Sequence, residues 1–250
     1  MFRPIALLVG IVASLGGSAV SAADDDPKDI ITKAIKAHGG EEFLTKHSAG
    51  RSKNKGKIDI PGVGEIEFTQ EVAYMIPGRT KESLEMTIAG QKVTVMTLIN
   101  GDAVSLIVNG KEMDLDDKVK GVTKDASYIL KLARFVPLLK DKGYELSLIG
   151  EDKVEGKPVV GVRIASKGHK DISAYFDKKT HLLAKIEHRS VDPSGKEINE
   201  ERIIAEYGKD KAGIPIPKRV VIKHDGKTFL DAEVLEVTFH EKIDDSEFKK

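Results

Sequence analysis

Histidine side chains can bind a transition metal or act as a general base near neutral pH. Seven histidines are present: His38, His47, His169, His181, His188, His224 and His240. No two of them have the spacing of a metal site such as H-x-H or H-E-x-x-H. Two lie beside predicted turns and two on predicted strand faces, where a histidine is usually structural. The spacing therefore favours surface or half-buried structural histidines over metal ligands and catalytic bases.

Serine and aspartate motifs likewise give no signal of catalysis. No serine lies in a G-x-S-x-G motif, and Ser194 belongs to the predicted turn Asp192-Pro193-Ser194-Gly195. The sequence lacks a phosphate-binding G-x-x-x-x-G-K-[ST] loop and a dinucleotide-binding fingerprint. Aspartates such as Asp114 and Asp244 could hold calcium, but the spacing of an oxygen-ligand loop with its turn glycine and distal glutamate is missing.

Glycoside hydrolysis would need a pair of carboxylates, and sugar sites usually add aromatic side chains that stack on the ring. Glu200, Glu201 and Glu206 alternate with apolar residues, which is typical of a solvated strand face, and the chain contains no tryptophan. We therefore expect no catalytic residue, no metal and no other cofactor, and a protein that is not an enzyme.

Charge and cysteine content exclude further classes of function. Lys plus Arg equals Asp plus Glu, at 40 each, and the two signs are interspersed along the chain. A nucleic-acid-binding protein usually has a basic excess or a basic face, so we expect no nucleic-acid partner. The chain has no cysteine, which removes disulfides, thiolate metal sites and cysteine nucleophiles.

The first residues have the order of a signal peptide. A basic start at Arg3 precedes an apolar run over residues 5–15, and Val20-Ser21-Ala22 is a small-x-small cleavage site. The apolar run is too short to span a bilayer. We expect cleavage after Ala22, so that residues 1–22 are a signal peptide. Residues 23–250 would then be a single exported domain, a monomer that does not span the membrane.

The mature chain is predicted to begin with a helix. Asp26 is a favourable N-cap and Pro27 suits the first helical position. The glycines of His38-Gly39-Gly40 should end this helix. A second short helical segment is predicted over Glu41 to His47.

Apolar residues then alternate with polar ones, as in antiparallel strands with one buried face. Ile66, Phe68, Val72 and Tyr74, for example, share one face of a predicted strand. The turns between strands are Pro61-Gly62, Pro77-Gly78, Ala89-Gly90, Asn100-Gly101 and Asn109-Gly110. Asn-Gly strongly favours a hairpin turn because both residues accept positive φ. The same alternation resumes at Tyr144 and continues to the end of the chain.

One apolar helix is predicted inside this series of strands, over Lys124 to Lys140. Its apolar residues surround nearly the whole circumference, interrupted by Lys131 and Arg134, so the helix must be covered on more than one side. Pro137 should bend it or end it. Two interpretations remain open. The helix either fills the concave face of the sheet as core, or is a lid over a removable apolar ligand.

The predicted fold class is mainly β with α. About eleven or twelve long strands, mostly paired with their neighbours in sequence, form a sheet too large to stay flat. We therefore expect a large curved antiparallel sheet that curls into an open or closed barrel.

This order of elements resembles the periplasmic outer-membrane lipoprotein-sorting (LolA-like) superfamily. The resemblance rests on the helix ending in His38-Gly39-Gly40, Pro77-Gly78-Arg79, Asn100-Gly101-Asp102, the apolar helix, the strands from Tyr144, Asp225-Gly226-Lys227, and Ile243-Asp244-Asp245-Ser246-Glu247-Phe248. It implies an unclosed half-barrel of about eleven strands, with helices covering the concave face. It also implies a hydrophobic cavity that takes acyl chains of lipids or lipoproteins.

The cavity implied by the resemblance would be lined by apolar side chains of the strands and the helix. These residues are Phe68, Leu84, Met86, Val95, Ile129, Leu130, Ala133 and Val136. Arg79 approximately matches the arginine that follows the proline turn in the family, which implies a latch between sheet and helix. Val104 and Ser105 stand where relatives often have Trp or Tyr, so the fold is implied more directly than lipoprotein transfer.

Three hypotheses of function follow. The first is a non-enzymatic periplasmic binder or carrier of a lipid or of a lipoprotein acyl chain. The second is a sensing or docking module that binds another envelope protein, for example by adding a strand to the open sheet edge. The third, a hydrolase, is supported by no constellation of residues.

Overall fold

The computed structural model describes residues 26–192 and 196–250. The predicted signal peptide, residues 1–22, lies outside the described residues, as do residues 193–195 of the predicted turn. Within the described part of the chain, no helix combines the length and the apolar character that crossing a bilayer would require.

Four α-helices and thirteen strands make up the described chain, together with a C-terminal 3-10 helix over Asp245–Phe248. The helices are α1 (Pro27–Ala37), α2 (Gly40–Lys46), α3 (Asp117–Leu132) and α4 (Val136–Lys140). The first six strands are β1 (Ala49–Ile60), β2 (Gly64–Met75), β3 (Arg79–Ile88), β4 (Gln91–Asn100), β5 (Ala103–Val108) and β6 (Lys111–Met113). The others are β7 (Tyr144–Val154), β8 (Lys157–Ser166), β9 (Ile172–Asp177), β10 (Leu183–Val191), β11 (Glu197–Lys209), β12 (Pro215–His224) and β13 (Lys227–His240).

All thirteen strands form one antiparallel sheet in the order β6-β5-β4-β3-β2-β1-β13-β12-β11-β10-β9-β8-β7. Every strand pairs with its neighbours in sequence, except that β1 pairs with β13 and α3 and α4 separate β6 from β7. The two edge strands are β6 and β7, so the sheet is not closed. The predicted mainly β half-barrel is confirmed.

The structure contains one strand that was not predicted, β6, and one that is longer than predicted, β1. β6 has only three residues, too few to show a period of two. β1 begins at Ala49, although only its last residues, from Ile58, were predicted as strand. The segment from Arg51 to Lys57 carries lysines at every second position on one face and small or polar residues on the other, so no apolar periodicity marks it.

The predicted N-terminal helix is confirmed as α1. The Asp26 carboxylate accepts a hydrogen bond from the backbone amide of Lys28, at 2.8 Å, and satisfies an N-terminal donor of the helix. Gly39 ends the helical run with φ of 108°, a value that favours glycine. The second predicted helical segment is α2.

The helix predicted over Lys124 to Lys140 is wrong in its bounds. α3 begins seven residues earlier, at Asp117, and its first turns contain only two large apolar residues, Val119 and Val122, among charged and small ones. It ends at Leu132, and α4 begins at Val136 with Pro137 in its first turn. Phe135, between the two helices, has φ of 60°. A proline lacks the amide that would continue α3, so the chain breaks ahead of it instead of bending through it.

The main core lies between the helices and the strands β8 to β10. Buried apolar residues of α1, α3 and α4 pack against this half of the sheet, together with Leu44 of α2. This helix–sheet core comprises Ile30, Ile31, Ala34, Ile35, Leu44, Ile129, Leu132, Phe135, Leu138, Val160, Val162, Ile164, Ile172, Ala174, Phe176, Leu183 and Ile186. The C-terminal 3-10 helix makes a separate cluster, in which Phe248 and Ile243 pack with Ala49 and Ala73.

Candidate ligand-binding face

Helices α1 to α4 pack on one face of the sheet, mainly over β8 to β10, and we call it the inner face. Residues that are directly paired on neighbouring strands lie on the same face of a sheet. One continuous line of paired residues crosses eight neighbouring strands, from β8 to β2. It runs through Val162, Ala174, Ile186, Arg202, Ile222, Leu230, Ile58 and Ile66. The first three of these residues belong to the helix–sheet core, so the whole line lies on the inner face.

The far end of this line enters a second apolar cluster on the inner face, which we call the wing cluster. It comprises Phe68, Met86 and Ala232, which are buried, and Ile58, Ile60, Ile66, Leu84, Ile88, Val93, Val95 and Leu230, which are partly buried. All of these residues come from strands β1 to β4 and β13. Their partial exposure leaves apolar surface on the inner face, beyond the strands that the helices cover.

The residues predicted to line an acyl cavity divide between these two clusters. Phe68, Leu84, Met86 and Val95 belong to the wing cluster. Ile129 is in the helix–sheet core, and Ala133 and Val136 pack against it. Leu130 on α3 is partly buried. The strand residues and the helix residues thus share the inner face but belong to different packing clusters.

α3 passes between the two clusters. Its residues approach β4 and β5 on one side of the half-barrel, and Ile129 and Leu132 pack over β8 to β10 on the other. A small cavity of about 10 Å³ lies between α3 and the sheet, lined by Tyr128 and Ile129 from the helix and by Ile172 and His188 from the strands. It is too small for a ligand.

A latch between sheet and helix is made by Arg134, in the break between α3 and α4. Its guanidinium donates hydrogen bonds to the backbone carbonyl of His47, at 2.5 Å, and to the Tyr74 hydroxyl, at 3.2 Å. The guanidinium also lies 5.4 Å from the centre of the Tyr74 ring. Burial raises the pKa of the Tyr74 hydroxyl, and the charge of Arg134 opposes that rise. Arg79, which the resemblance suggested as the latch, donates instead to Asp245 of the C-terminal 3-10 helix, at 2.5 Å.

A buried ionic cluster lies on the inner face of β10 to β12. The Glu200 carboxylate accepts hydrogen bonds from His188, at 3.3 Å, and from the Arg202 Nε, at 2.6 Å, and lies 3.5 Å from a ring nitrogen of His224. Glu200 is only 8% exposed and His188 7%. Burial alone would raise the pKa of Glu200, but the His188 hydrogen bond and the Arg202 charge outweigh it, so its pKa is well below the usual range.

This cluster corrects the prediction that Glu200 is on a solvated face. β11 has apolar residues on both faces, with Ile198 and Ile203 both buried, so alternation did not reveal which side of the strand faces the core. Glu200 and Arg202 are two residues apart and therefore share a face. This two-residue spacing was the sequence signal that could have identified the ion pair.

A wide groove lies on the opposite face of the sheet. It has a volume of about 1480 Å³ and is lined mostly by ionic side chains of β1 to β4 and β11 to β13. Lys57, directly paired with both Glu67 and Asp231, is on its floor. Because Lys57 precedes the inner-face residue Ile58, its side chain points to the other side of the sheet. In this groove, which we call the outer groove, charged side chains predominate, although Ile66, Phe68 and Met86 of the wing cluster also border it.

Within residues 26–192 and 196–250, no group of three or more histidine, aspartate or glutamate side chains has the arrangement of a metal site. No family model matches the sequence, and no curated protein matches it.

Solved structures do match the fold. A LolA superfamily protein from Nitrosomonas europaea superimposes with a TM-score of 0.56 at 10% identity, covering 90% of this chain and 97% of that one. A domain assigned as an outer membrane lipoprotein-sorting protein, from Vibrio parahaemolyticus, gives 0.52 at 9% identity, covering 90% and 97%. A DUF1329 family protein from Desulfovibrio piger gives 0.50 at 13% identity, covering 90% and 98%. The chain has a LolA-like fold.

Proposed function

We propose that this protein is a periplasmic, non-enzymatic binder or carrier of a hydrophobic ligand, either a lipid or the acyl chain of a lipoprotein. The observation that carries the proposal is the wing cluster. It is a set of apolar side chains on the inner face of an open half-barrel, eight of them only partly buried. An acyl chain laid on this surface would complete the burial of those side chains.

The energetics favour such a ligand. Burying one methylene contributes roughly 0.8 kcal/mol, so several methylenes suffice to offset the cost of ordering a flexible chain. α3, which approaches β4 and β5, would cover the ligand, with Leu130 on the helix side and Phe68, Leu84, Met86 and Val95 on the sheet side. Ala133 and Val136 pack against the helix–sheet core. The helix is then a lid, and the Arg134 latch holds it closed.

The cellular setting of the proposal comes from the sequence and the fold. The predicted signal peptide over residues 1–22 would export residues 23–250 as a single-domain monomer. The Vibrio parahaemolyticus domain of the same fold is assigned to outer membrane lipoprotein sorting, which supports a cargo carrying acyl chains.

A fluorescence titration tests the proposal. Nile red, which becomes brighter in apolar surroundings, is added to the purified protein and displaced with dodecanoate. We expect saturable binding, and a loss of affinity of roughly tenfold in a Leu84→Gln variant, which places an amide in the wing cluster. The matched control is Leu235→Gln, because Leu235 is exposed and lines the outer groove. If the wild-type protein does not bind the dye, or dodecanoate does not displace it, the proposal is wrong.

A second candidate function is docking of an envelope protein, and the β7 edge favours it. β7 is an eleven-residue edge strand that exposes Leu148 by 39% and Ile149 by 43%. A partner strand could pair with this edge. In a pull-down from envelope extract, this function predicts one stoichiometric protein that is lost with Leu148→Lys and retained with Leu235→Lys. Capture that is equal for both variants would contradict it.

A further inference from the structure

Arg202 is the one charged residue in the line that crosses the inner face. Its direct neighbours on β10 and β12 are Ile186 and Ile222, and Leu230 follows on β13. Ile186 is buried beneath the helices, whereas Ile222 and Leu230 are partly exposed. Arg202 therefore lies where the helix-covered core ends and the open apolar surface begins.

Among the described residues, the Arg202 guanidinium is hydrogen-bonded from one side. Its Nε donates to Glu200 at 2.6 Å, and Glu200 is itself fixed by His188. This bond uses one of three guanidinium nitrogens, and the Arg202 side chain keeps 32% of its exposure. An arginine oriented by a buried carboxylate presents its two terminal nitrogens as a planar pair, which matches the two oxygens of a carboxylate or phosphate.

The charges around Arg202 favour an anion over a cation. Glu200 is the single acid of the cluster, and it has three basic neighbours: Arg202, His188 and His224. His224 stacks on Phe229, with ring centres 4.1 Å apart, so the imidazole is held in place beside Glu200.

The spacing between strands gives the distance from Arg202 to the wing cluster. Neighbouring strands are about 4.8 Å apart, so Leu230 lies roughly 10 Å from Arg202 across the sheet, and Ile66 roughly 19 Å. A single extended chain laid across the strands would pass over Ile222, Leu230 and Ile58. The anionic head would then lie at one end and the apolar tail in the wing cluster.

We infer that Arg202 is the head-group anchor of the ligand site, and that the ligand is a single-chain amphiphile with an anionic head, carboxylate or phosphate. This inference rests on the proposed function and adds the chemical class and orientation of the ligand. Glu200, His188 and His224 are positioning residues: they orient the guanidinium and do not touch the ligand.

Displacement of Nile red by four compounds tests the inference. Dodecanoate and dodecyl phosphate carry the anionic head, methyl dodecanoate has the chain without the charge, and acetate has the charge without the chain. We expect the two anionic amphiphiles to bind roughly tenfold or more tighter than methyl dodecanoate, as for charge-assisted hydrogen bonds. Acetate should not compete.

The test variant is the double substitution Glu200→Met with Arg202→Met. Removing both partners avoids an unpaired buried charge, and such replacements are usually tolerated. We expect it to bind dodecanoate and methyl dodecanoate equally. The matched control is Arg219→Met, which removes an arginine–carboxylate pair with Asp231 on the opposite face of the sheet, and it should keep the preference for the anion.

Three results would overturn the inference and leave the proposed function standing. They are equal binding of dodecanoate and its methyl ester by the wild-type protein, an anion preference that persists in the double variant, and competition by acetate as effective as that by dodecanoate. If none of the amphiphiles displaces the dye from the wild-type protein, the proposed function itself fails.

Discussion

The Arg134 latch gives the sharpest prediction about how the half-barrel is held shut. Arg134→Met keeps an unbranched apolar stem but removes both hydrogen bonds, to the His47 carbonyl and to the Tyr74 hydroxyl. The carbonyl ends α2 and the hydroxyl belongs to β2, so the substitution disconnects the break between α3 and α4 from both neighbours at once.

The expected cost follows from the two bonds. A hydrogen bond to a charged group contributes about 1.5–3 kcal/mol, and an acceptor left without a partner in a buried site adds to the loss. Both bonds are partly buried, so solvent screening reduces the upper figure. We expect Arg134→Met to lower the free energy of unfolding by about 3 kcal/mol, with the helix layer loosening before the sheet.

Urea unfolding followed by circular dichroism measures this loss, and hydrogen exchange locates it. The matched control is Lys140→Met, which removes the exposed Lys140–Glu41 pair on the neighbouring helix, worth at most about 1 kcal/mol. The reasoning is refuted if Arg134→Met costs no more than the control. It is also refuted if amide exchange in α3 is unchanged by the substitution.

Three further predictions concern stability. Burial lowers the pKa of His38 below the ordinary 6.5, and this effect outweighs the hydrogen bond to the Ala34 carbonyl, which would raise the pKa. Because the unfolded chain then binds the proton more readily, the wild-type protein should lose stability as pH falls below 6.5. His38→Gln should flatten that part of a plot of unfolding free energy against pH. Glu200→Gln should cost about 3 kcal/mol at neutral pH, since it leaves the Arg202 charge without its carboxylate, whereas the double methionine variant should lose much less in the same urea experiment. Phe135→Ala, which empties a fully buried position, should lower the free energy of unfolding by about 3–5 kcal/mol; a loss below 1 kcal/mol, the size expected of a surface substitution, would contradict the packing described.

The sheet was predictable where turns and alternation agree. Asn100-Gly101 is followed by β5 as expected, and Tyr74 shares a face with Phe68 as the period of two requires. These signals are local, since each depends on a few neighbouring residues. The pairing of β1 with β13, which joins the two halves of the sheet, is not local, and no signal in either strand marked it in advance.

The helix illustrates where local patterns mislead. An apolar run over Lys124 to Lys140 suggested one continuous helix. The turns that start α3 at Asp117 lie ahead of that apolar run, and the break at Phe135 depends on the proline that follows. Packing on the sheet determines where the helices of this segment begin and end, and hydrophobic periodicity carries no information about that packing.

The burial of Phe68 and Met86 was predictable from the sequence, whereas the buried pair of Glu200 and Arg202 was missed. Phe68 and Met86 were expected on an inner face because the strands alternate clearly there. Arg202 and Glu200 are on a strand that buries residues on both sides, so nothing in β11 distinguished the inner face from the outer one. The latch was expected at Arg79 on family pattern alone, and the contact with the helix layer is made by Arg134.

Native mass spectrometry of the protein purified from the periplasm, followed by organic extraction of bound material, tests the central claim most directly. The account predicts a discrete extra mass that extracts as a single-chain lipid or an acyl group, and whose occupancy falls in the Leu84→Gln variant but not in Leu235→Gln. A protein that carries no extra mass, and gains none when incubated with dodecanoate, would contradict the claim that the inner face binds a hydrophobic ligand.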